Sequence, residues 1–250
     1  MDPNRRPLKS RSWPAMHSLA AALVRLGVSP NQVSIAGALF GIAAGVCLAL
    51  TSLDASVASE TQSPTLIGRA LFIAAAAFIQ LRLLCNLIDG MVAIEGGRQT
   101  RVGVLYNELP DRVSDAATLI GAGYAAMSEP VLGWLAALLA VMTAYIRAVG
   151  KAEGTGNDFC GPMAKPHRMA VMTFACIACA CWPNAWFGVF PKHVVLWERT
   201  SNAAQKAPIT STLSILTIAL SIVALGSATT CVRRTLRIAR ALENATPNAK

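Results

Sequence analysis

Two carboxylates and two amides recur at helical spacing within an otherwise apolar part of this chain. Asn86 and Asp89 are three residues apart, and Asn107 and Asp111 are four apart, so each pair shares one face of a helix. Carboxylates near a membrane core are costly, and they persist where they bind a cation, pair with another charge or line a wet cavity. Oxygen ligands suit Mg²⁺ or Mn²⁺, whereas zinc prefers His and Cys, which are not clustered here. The pattern therefore predicts a divalent-metal pocket between two helices.

Further charged residues lie on the same helix faces. Glu108 and Asp115 share the stripe of Asp111 and are candidate additional metal ligands. Asp115 could equally be a structural partner of Arg112 or part of a polar helix face. Arg82, one turn before the first pair, either neutralises the carboxylate of that pair or has a functional role.

The elements that carry these residues are predicted to be transmembrane helices. Hydrophobic residues make up 54% of the 250-residue chain and charged residues only 14%, against roughly 25% charged residues in soluble domains. Apolar runs of the length needed to cross a bilayer occur over six segments: 32–53, 67–94, 112–128, 131–150, 168–187 and 209–231. The second run is long for a simple span, which places Asp89 near the membrane–water boundary. We expect an all-α, polytopic membrane protein with about six transmembrane helices.

The remaining segments complete a three-part organisation. Residues 1–30 hold basic residues, Trp13 and apolar residues without a long apolar core, so they predict an amphipathic helix lying in the membrane interface rather than a cleaved signal peptide. Residues 31–235 form the transmembrane domain, and 236–250 are expected to be a basic, disordered tail. Cys176 and Cys179 form a Cys-x-x-Cys without a second ligand pair, and we interpret them as packing residues.

The charge distribution predicts an orientation. The net charge is +9, but the charges flank apolar runs, which argues against a nucleic-acid partner. Most of the 22 Lys and Arg residues fall on one side if the N-terminus, the second and fourth loops and the C-terminus share that side. By the positive-inside rule, both termini and the site should face the cytoplasm. A bacterial inner membrane is a separate expectation.

A second polar cluster follows the fourth predicted span. Arg147, Lys151, Lys165 and Arg168 surround this loop, and phosphates bind to cations, with Arg able to grip them bidentately. The cluster predicts a site for the phosphate of a substrate or acceptor. The alternative interpretation is positive-inside charge beside a membrane helix.

The region from Asn86 to Asp111 resembles the motif of the CDP-alcohol phosphatidyltransferase family. That motif reads Asp, two residues, Asp-Gly, two residues, Ala-Arg, eight residues, Gly, three residues, Asp, three residues, Asp. Four elements match in register: Asp89-Gly90, Ala93, Gly103 and Asp111. Three positions depart from the motif, with Asn at the first and third Asp positions (Asn86 and Asn107) and Ile94 in place of Arg.

The resemblance implies a function and roles for these residues. Asp89 and Asp111, helped by Asn86 and Asn107, would hold a divalent ion on a CDP diphosphate, and Asp111 would also act as general base. Small residues at three further positions would allow CDP to approach closely: Gly90, Ala93 and Gly103. Gly90 and Gly103 could serve helix packing instead, but their registration with the Asp residues favours close substrate approach.

In this family, a phosphatidyl group passes from a CDP-linked lipid such as CDP-diacylglycerol to a small alcohol, and CMP is released, during phospholipid biosynthesis. The basic loop after span four is similar to a family region that binds the phosphate of the substrate or acceptor. The sequence leaves the acceptor alcohol open, and a homodimer is a further expectation. Two other functions are compatible with the sequence: a weakened family member that binds nucleotide-lipid, motivated by the two missing carboxylates, and a small-solute transporter.

Overall fold

Helices make up almost all of the structure, a computed structural model. It describes residues 13–54, 65–97, 103–181, 191–192, 211–212 and 214–244. Seven α-helices lie within these ranges: α1 (Pro14–Arg25), α2 (Pro30–Leu50), α3 (Leu66–Glu95), α4 (Gly103–Gly123), α5 (Pro130–Ala152), α6 (Lys165–Cys181) and α7 (Ile215–Asn244). A 3₁₀ turn, Thr51–Leu53, follows α2, and β1 (Pro191–Lys192) pairs antiparallel with β2 (Ser211–Thr212). The all-α fold is confirmed.

The start of α2 shows how the sequence fixes a helix end. Pro30 stands at the first helical position, where its missing N–H costs nothing. Ser29 accepts a hydrogen bond from the Gln32 backbone at 3.3 Å, and the Gln32 side chain accepts one from the Ser29 backbone at 2.8 Å. This reciprocal capping box satisfies two backbone donors that the helix would otherwise leave unpaired.

Four helical segments are long and apolar enough to cross a membrane: Pro30–Leu53, Leu66–Glu95, Pro130–Ala152 and Ile215–Asn244. They match the first, second, fourth and sixth predicted spans. Helices α4 and α6 occupy the other two regions, but α4 begins nine residues before the predicted start of span three and carries the polar residues 107–115. Residues 182–187, 209–210 and 213 of the predicted spans lie outside the described ranges. The figure of six spans stays a prediction.

The last helix corrects one expectation. Helix α7 continues to Asn244, so residues 236–244 of the predicted disordered tail are helical. The physical reason is local, because the segment from Arg233 to Glu243 is rich in Arg, Leu and Ala, which favour helix. Residues 245–250 lie outside the described ranges.

Helices α2 and α4 pack at backbone contact. A Cβ added to Gly45 would collide with the carbonyl oxygen of Ala117, and one added to Gly121 would collide with the carbonyl oxygen of Gly45. Small residues let membrane helices approach in this way. The contact holds α4, which carries most of the polar residues, against the rest of the bundle. Cys176 and Cys179 are buried in the apolar core, as predicted.

Candidate active site

A cleft of about 900 Å³ opens between α3, α4, α5, α6 and α7. Its α3 wall is mainly apolar, with Leu81, Leu84 and Leu87. The remaining walls carry the charged side chains of the cleft, and the cleft as a whole is lined by seven of the thirteen predicted site residues. We call it the polar cleft; its charged and amide residues are Gln80, Asn86, Asn107, Glu108, Asp111, Arg112, Arg147, Lys165, Arg168 and Arg234.

Asp89 lies next to this cleft as a buried carboxylate. It accepts hydrogen bonds from the Ser34 hydroxyl at 2.8 Å, the Gly90 backbone at 2.6 Å and the Asn107 amide at 3.4 Å. Only 3% of Asp89 is exposed, yet it forms no salt bridge with any residue in the described ranges. A buried negative charge without a cationic partner is costly. Helical spacing identifies the Asp89 carboxylate, but it gives no sign of the Ser34 contact, because Ser34 lies on α2, 55 residues away.

Asp111 faces the cleft and is paired with two cations. Its Oδ2 lies 2.5 Å from Lys165 Nζ, and its Oδ1 lies 3.6 Å from Arg82 Nη2. Helix α4 therefore joins its central carboxylate to the first residue of α6. Sequence spacing could not reveal this contact, because 54 residues separate the two partners.

Asp115 is the centre of a buried ion network. One carboxylate oxygen contacts Arg82, and the other accepts a hydrogen bond from Arg168 at 3.1 Å. Arg82 also donates to the Ser114 hydroxyl at 2.5 Å. All three charged residues are at least 98% buried. Asp115 thus has two arginine partners, and neither is the predicted Arg112.

This network corrects two interpretations of the sequence. Arg82 pairs with Asp111 and Asp115 rather than with Asp89. Asp115 is enclosed by guanidinium groups and does not line the polar cleft, so its geometry favours a structural role over metal ligation. The reason is that Asp115 lies one helical turn further along α4 than Asp111, where its side chain is buried in the core.

Glu108 is held in a similar way at the cleft wall. Its carboxylate accepts from Arg112 at 2.8 Å and from Arg147 at 2.6 Å. The Arg147 guanidinium also lies 5.6 Å from the ring centre of Phe159, which adds a cation–π contact. Glu108 orients two arginines, and this arrangement does not favour the metal role considered for it.

The predicted phosphate residues separate into two groups. Lys165, Arg147 and Arg168 all line the polar cleft, whereas Lys151 is exposed on the last turn of α5 and does not. Arg168 donates to Thr143 Oγ1 at 3.2 Å and to the Met163 carbonyl at 2.9 Å, in addition to Asp115.

Arg234 lines the polar cleft, although it is not among the predicted site residues. It donates to the carbonyls of Cys160 at 2.9 Å and Thr143 at 2.6 Å. In the sequence, Arg234 is a basic residue just after the last predicted span. Such a position by itself indicates only the orientation of the helix.

The three small motif residues have modest roles in the described structure. Gly90, Ala93 and Gly103 are half-buried, and none of them lines the polar cleft. The Gly90 backbone N–H binds Asp89. Their contact with CDP stays a prediction.

The donor set fits a hard divalent cation. Asp89, Asp111, Asn86 and Asn107 offer only oxygen and amide groups, as Mg²⁺ and Mn²⁺ prefer. The described residues contain no group of three or more His, Cys, Asp and Glu side chains placed to hold a metal, which follows because two of the four motif positions are Asn. The buried charge of Asp89, lacking a salt bridge, is the observation that favours a cation here.

Comparison with known proteins agrees with this fold. The phosphatidylinositol phosphate synthase of Mycobacteroides abscessus is 30% identical over 186 residues, which cover 72% of this chain and 74% of the relative. Crystal structures of the Mycobacterium tuberculosis phosphatidylinositol phosphate synthase share the fold. The form in complex with manganese and citrate has a TM-score of 0.62 and 19% identity, covering 89% of this chain and 88% of that chain. The form with CDP-DAG bound has a TM-score of 0.60 and 20% identity, covering 89% and 92%. No family model matches the chain.

The similarity to the Mycobacteroides enzyme, at 30% identity over 72% of this chain, places the chain in a class of membrane enzymes that act on phosphorylated lipids. The chain belongs to the CDP-alcohol phosphatidyltransferase family. It is a metal-dependent integral membrane transferase that moves a substituted phosphate group from a CDP-linked lipid to an alcohol in phospholipid biosynthesis.

Proposed function

We propose that the acceptor is a phosphorylated polyol of the inositol phosphate type and that the donor is CDP-diacylglycerol. The observation that carries this proposal is the basic wall of the polar cleft. Arg112, Arg147, Lys165, Arg168 and Arg234 line one cavity that contains only two carboxylates, Glu108 and Asp111. An acceptor that brings its own phosphate matches such a wall better than serine or free inositol. The name of the Mycobacteroides relative supports the same acceptor.

The opposite wall suits the lipid donor. Leu81, Leu84 and Leu87 line the polar cleft on α3, and Leu81 is 39% exposed. An acyl chain can lie against this apolar surface while the diphosphate reaches the polar side. The cleft thus offers a lipid and a water-soluble acceptor a common meeting place.

We propose that Asp89 and Asp111 hold the divalent ion, with the amide oxygens of Asn86 and Asn107 completing the protein's ligand set. Bound there, Mg²⁺ or Mn²⁺ supplies charge neutralisation of the CDP diphosphate. Asp111 accepts the proton of the attacking hydroxyl. Lys165 forms a salt bridge with Asp111 in this structure, and an incoming phosphate can replace Asp111 as its partner. Arg168, fixed by Asp115, and Arg147, fixed by Glu108, position the acceptor phosphate.

The two Asn residues set the charge of this site. With Asp at all four motif positions, four carboxylates would face the diphosphate, whereas here two do so. The lower negative charge favours a single metal ion and reduces repulsion of an anionic acceptor. The homodimer and the cytoplasmic orientation at a bacterial inner membrane stay predictions.

The test is an acceptor panel with purified full-length protein, CDP-diacylglycerol and Mg²⁺. Inositol phosphate, glycerol 3-phosphate, free inositol and serine are offered separately, while CMP release and the lipid product are measured. We expect CMP release chiefly with inositol phosphate. A preference for free inositol or serine overturns the proposed acceptor class, and a preference for glycerol 3-phosphate overturns its polyol part.

The same assay separates the enzyme from a nucleotide-lipid binding protein. Asp111→Asn serves as the inactive control, because it keeps the size of the side chain and removes the base. Binding of CDP-lipid without turnover on any acceptor would identify a nucleotide-lipid binding protein. Glu129→Gln, a change at the exposed start of α5, controls for the loss of a carboxylate elsewhere.

A further inference from the structure

A second cleft lies on the outer side of the loop that closes the polar cleft. It has a volume of about 280 Å³ and is lined by Cys160, Gly161, Arg233, Leu236, Arg237 and Arg240. We call it the arginine cleft. It is separate from the site described above, because Arg234 on α7 faces the polar cleft while its neighbour Arg233 faces the arginine cleft.

The walls of the arginine cleft are fixed to one another. Arg234 donates to the Cys160 carbonyl at 2.9 Å, and the Met163 backbone donates to Thr230 Oγ1 at 3.1 Å. Gly161 has φ +115°, and a Cβ at this position would collide with Thr230. The loop therefore lies directly on α7, and only glycine fits at the closest point.

The charge in this cleft is strongly positive. Arg233 and Arg240 are exposed and have no hydrogen-bond or salt-bridge partner among the described residues. Arg237 is oriented by Asp158, at 3.3 Å between Arg237 Nε and Asp158 Oδ2. Glu243, an exposed acid, follows Arg240 by one turn of the same helix. Three guanidinium groups thus surround a space that Asp158 and Glu243 neutralise only in part.

The same face of α7 is apolar on the side toward the middle of the helix. Leu225, Val232 and Leu236 are 71%, 59% and 51% exposed. At about 100° per residue, they fall on one continuous stripe with Arg233 and Arg240. The stripe changes from apolar to cationic toward the end of the helix. Such a surface matches a phospholipid, which has apolar chains and a charged headgroup.

We propose that the arginine cleft binds the phosphate of an anionic phospholipid whose acyl chain lies along the apolar stripe of α7. Charge complementarity selects an anionic headgroup, and the adjoining apolar stripe selects a lipid over a soluble phosphate. The bound lipid is an accessory ligand rather than the substrate, because the cleft lacks the acidic and amide residues of the polar cleft. The proposal is independent of the acceptor's identity.

The test measures lipid retention by the full-length protein, using native mass spectrometry after exchange into mixed phosphatidylglycerol and phosphatidylcholine. We expect preferential retention of phosphatidylglycerol. Arg233→Gln and Arg240→Gln should each reduce that preference about fivefold, as expected for the loss of one basic residue near an anionic surface. Arg25→Gln, at the exposed end of α1, is the matched control and should change it less than twofold.

Further outcomes decide the proposal. Equal retention of the two lipids by the unmodified protein, or an equal loss in the Arg25 variant, overturns it. Displacement of the lipid by excess inorganic phosphate would show a soluble-anion site instead. Arg233→Lys keeps the charge while losing the bidentate grip, so it should give an intermediate preference in a protein whose folding is undisturbed. CMP release measured in the same samples reports separately on the polar cleft.

Discussion

Lys165 Nζ lies 2.5 Å from Asp111 Oδ2, so the carboxylate proposed as general base is paired with a cation proposed to bind phosphate. The pair joins α4 to α6 across the polar cleft. It also links phosphate binding by Lys165 to the general-base role of Asp111. A phosphate that attracts Lys165 releases the Asp111 carboxylate for proton transfer.

The first prediction concerns Asp111 itself. Asp111→Asn should reduce kcat by about a hundredfold to ten-thousandfold, the usual contribution of a general base, and should leave the protein folded because an amide can still accept from Lys165. CMP release and thermal melting in detergent check the two parts. Glu129→Gln should leave both values unchanged. Near-normal turnover in the Asp111 variant would remove it from the mechanism.

The second prediction compares two lysines. Lys165→Met removes a cation from the polar cleft and should raise the acceptor KM at least tenfold, about 1.4 kcal/mol. Lys151→Met should change it by less than twofold, because Lys151 is exposed and does not line the cleft. Steady-state kinetics with varied acceptor distinguish them. Equal effects of the two changes would indicate a general surface potential rather than a contact.

The third prediction tests Asp115 as a structural counter-ion. Asp115→Asn leaves the buried guanidinium groups of Arg82 and Arg168 without their shared carboxylate. Removing one partner of a buried ion network costs about 3–5 kcal/mol, so the free energy of unfolding should fall by that amount. Metal affinity, measured by calorimetry on protein that remains folded, should be unchanged. A large loss of metal affinity with normal stability would restore Asp115 as a ligand.

The fourth prediction uses the amide that touches Asp89. Asn107→Asp places a second carboxylate against Asp89, replacing a hydrogen bond of 3.4 Å with repulsion. We expect a lower melting temperature in EDTA and a larger rise on adding Mg²⁺ than in the unmodified protein, because the ion binds the added charge. Gln32→Glu, in the cap of α2, adds a carboxylate elsewhere and should not change the Mg²⁺-dependent rise.

The fifth prediction concerns helix packing. Gly121→Ala forces a methyl group against the backbone of Gly45, and backbone cannot move aside easily. We expect a loss of about 1–3 kcal/mol in the free energy of unfolding, as for other overpacked sites. Gly226→Ala is the matched control, since its methyl would meet only the flexible side chain of Met163. Denaturant titration of both variants should place the Gly226 variant closer to the unmodified protein.

The sequence predicted the parts of this structure that depend on short spacing. The faces shared by Asn86 with Asp89 and by Asn107 with Asp111 follow from helical periodicity. Sequence spacing does not predict which charged residues pair between helices. Asp115 reaches Arg168 over 53 residues, and periodicity shows only which face a residue occupies, not which helix packs against that face.

The end of the last helix differs from the prediction. Residues 236–244 belong to the tail predicted to be disordered, but α7 continues to Asn244, because this segment is rich in residues that favour helix. Arg234 was likewise counted as an orientation charge, because its two carbonyl acceptors come from distant parts of the chain.

The polar character of α4 has a consequence for how the protein is made. A charged residue at the centre of a helix costs about 2.5–3.5 kcal/mol during insertion from the translocon, and α4 carries Asp111, Arg112 and Asp115 within five residues. We expect α4 to enter the membrane only together with α2 and α3. Arg82 on α3 would then neutralise Asp111 and Asp115 as α4 inserts. Arg82 would then have two roles: it would assist the insertion of α4 during biogenesis, and it would stabilise the folded enzyme through the same ion pairs.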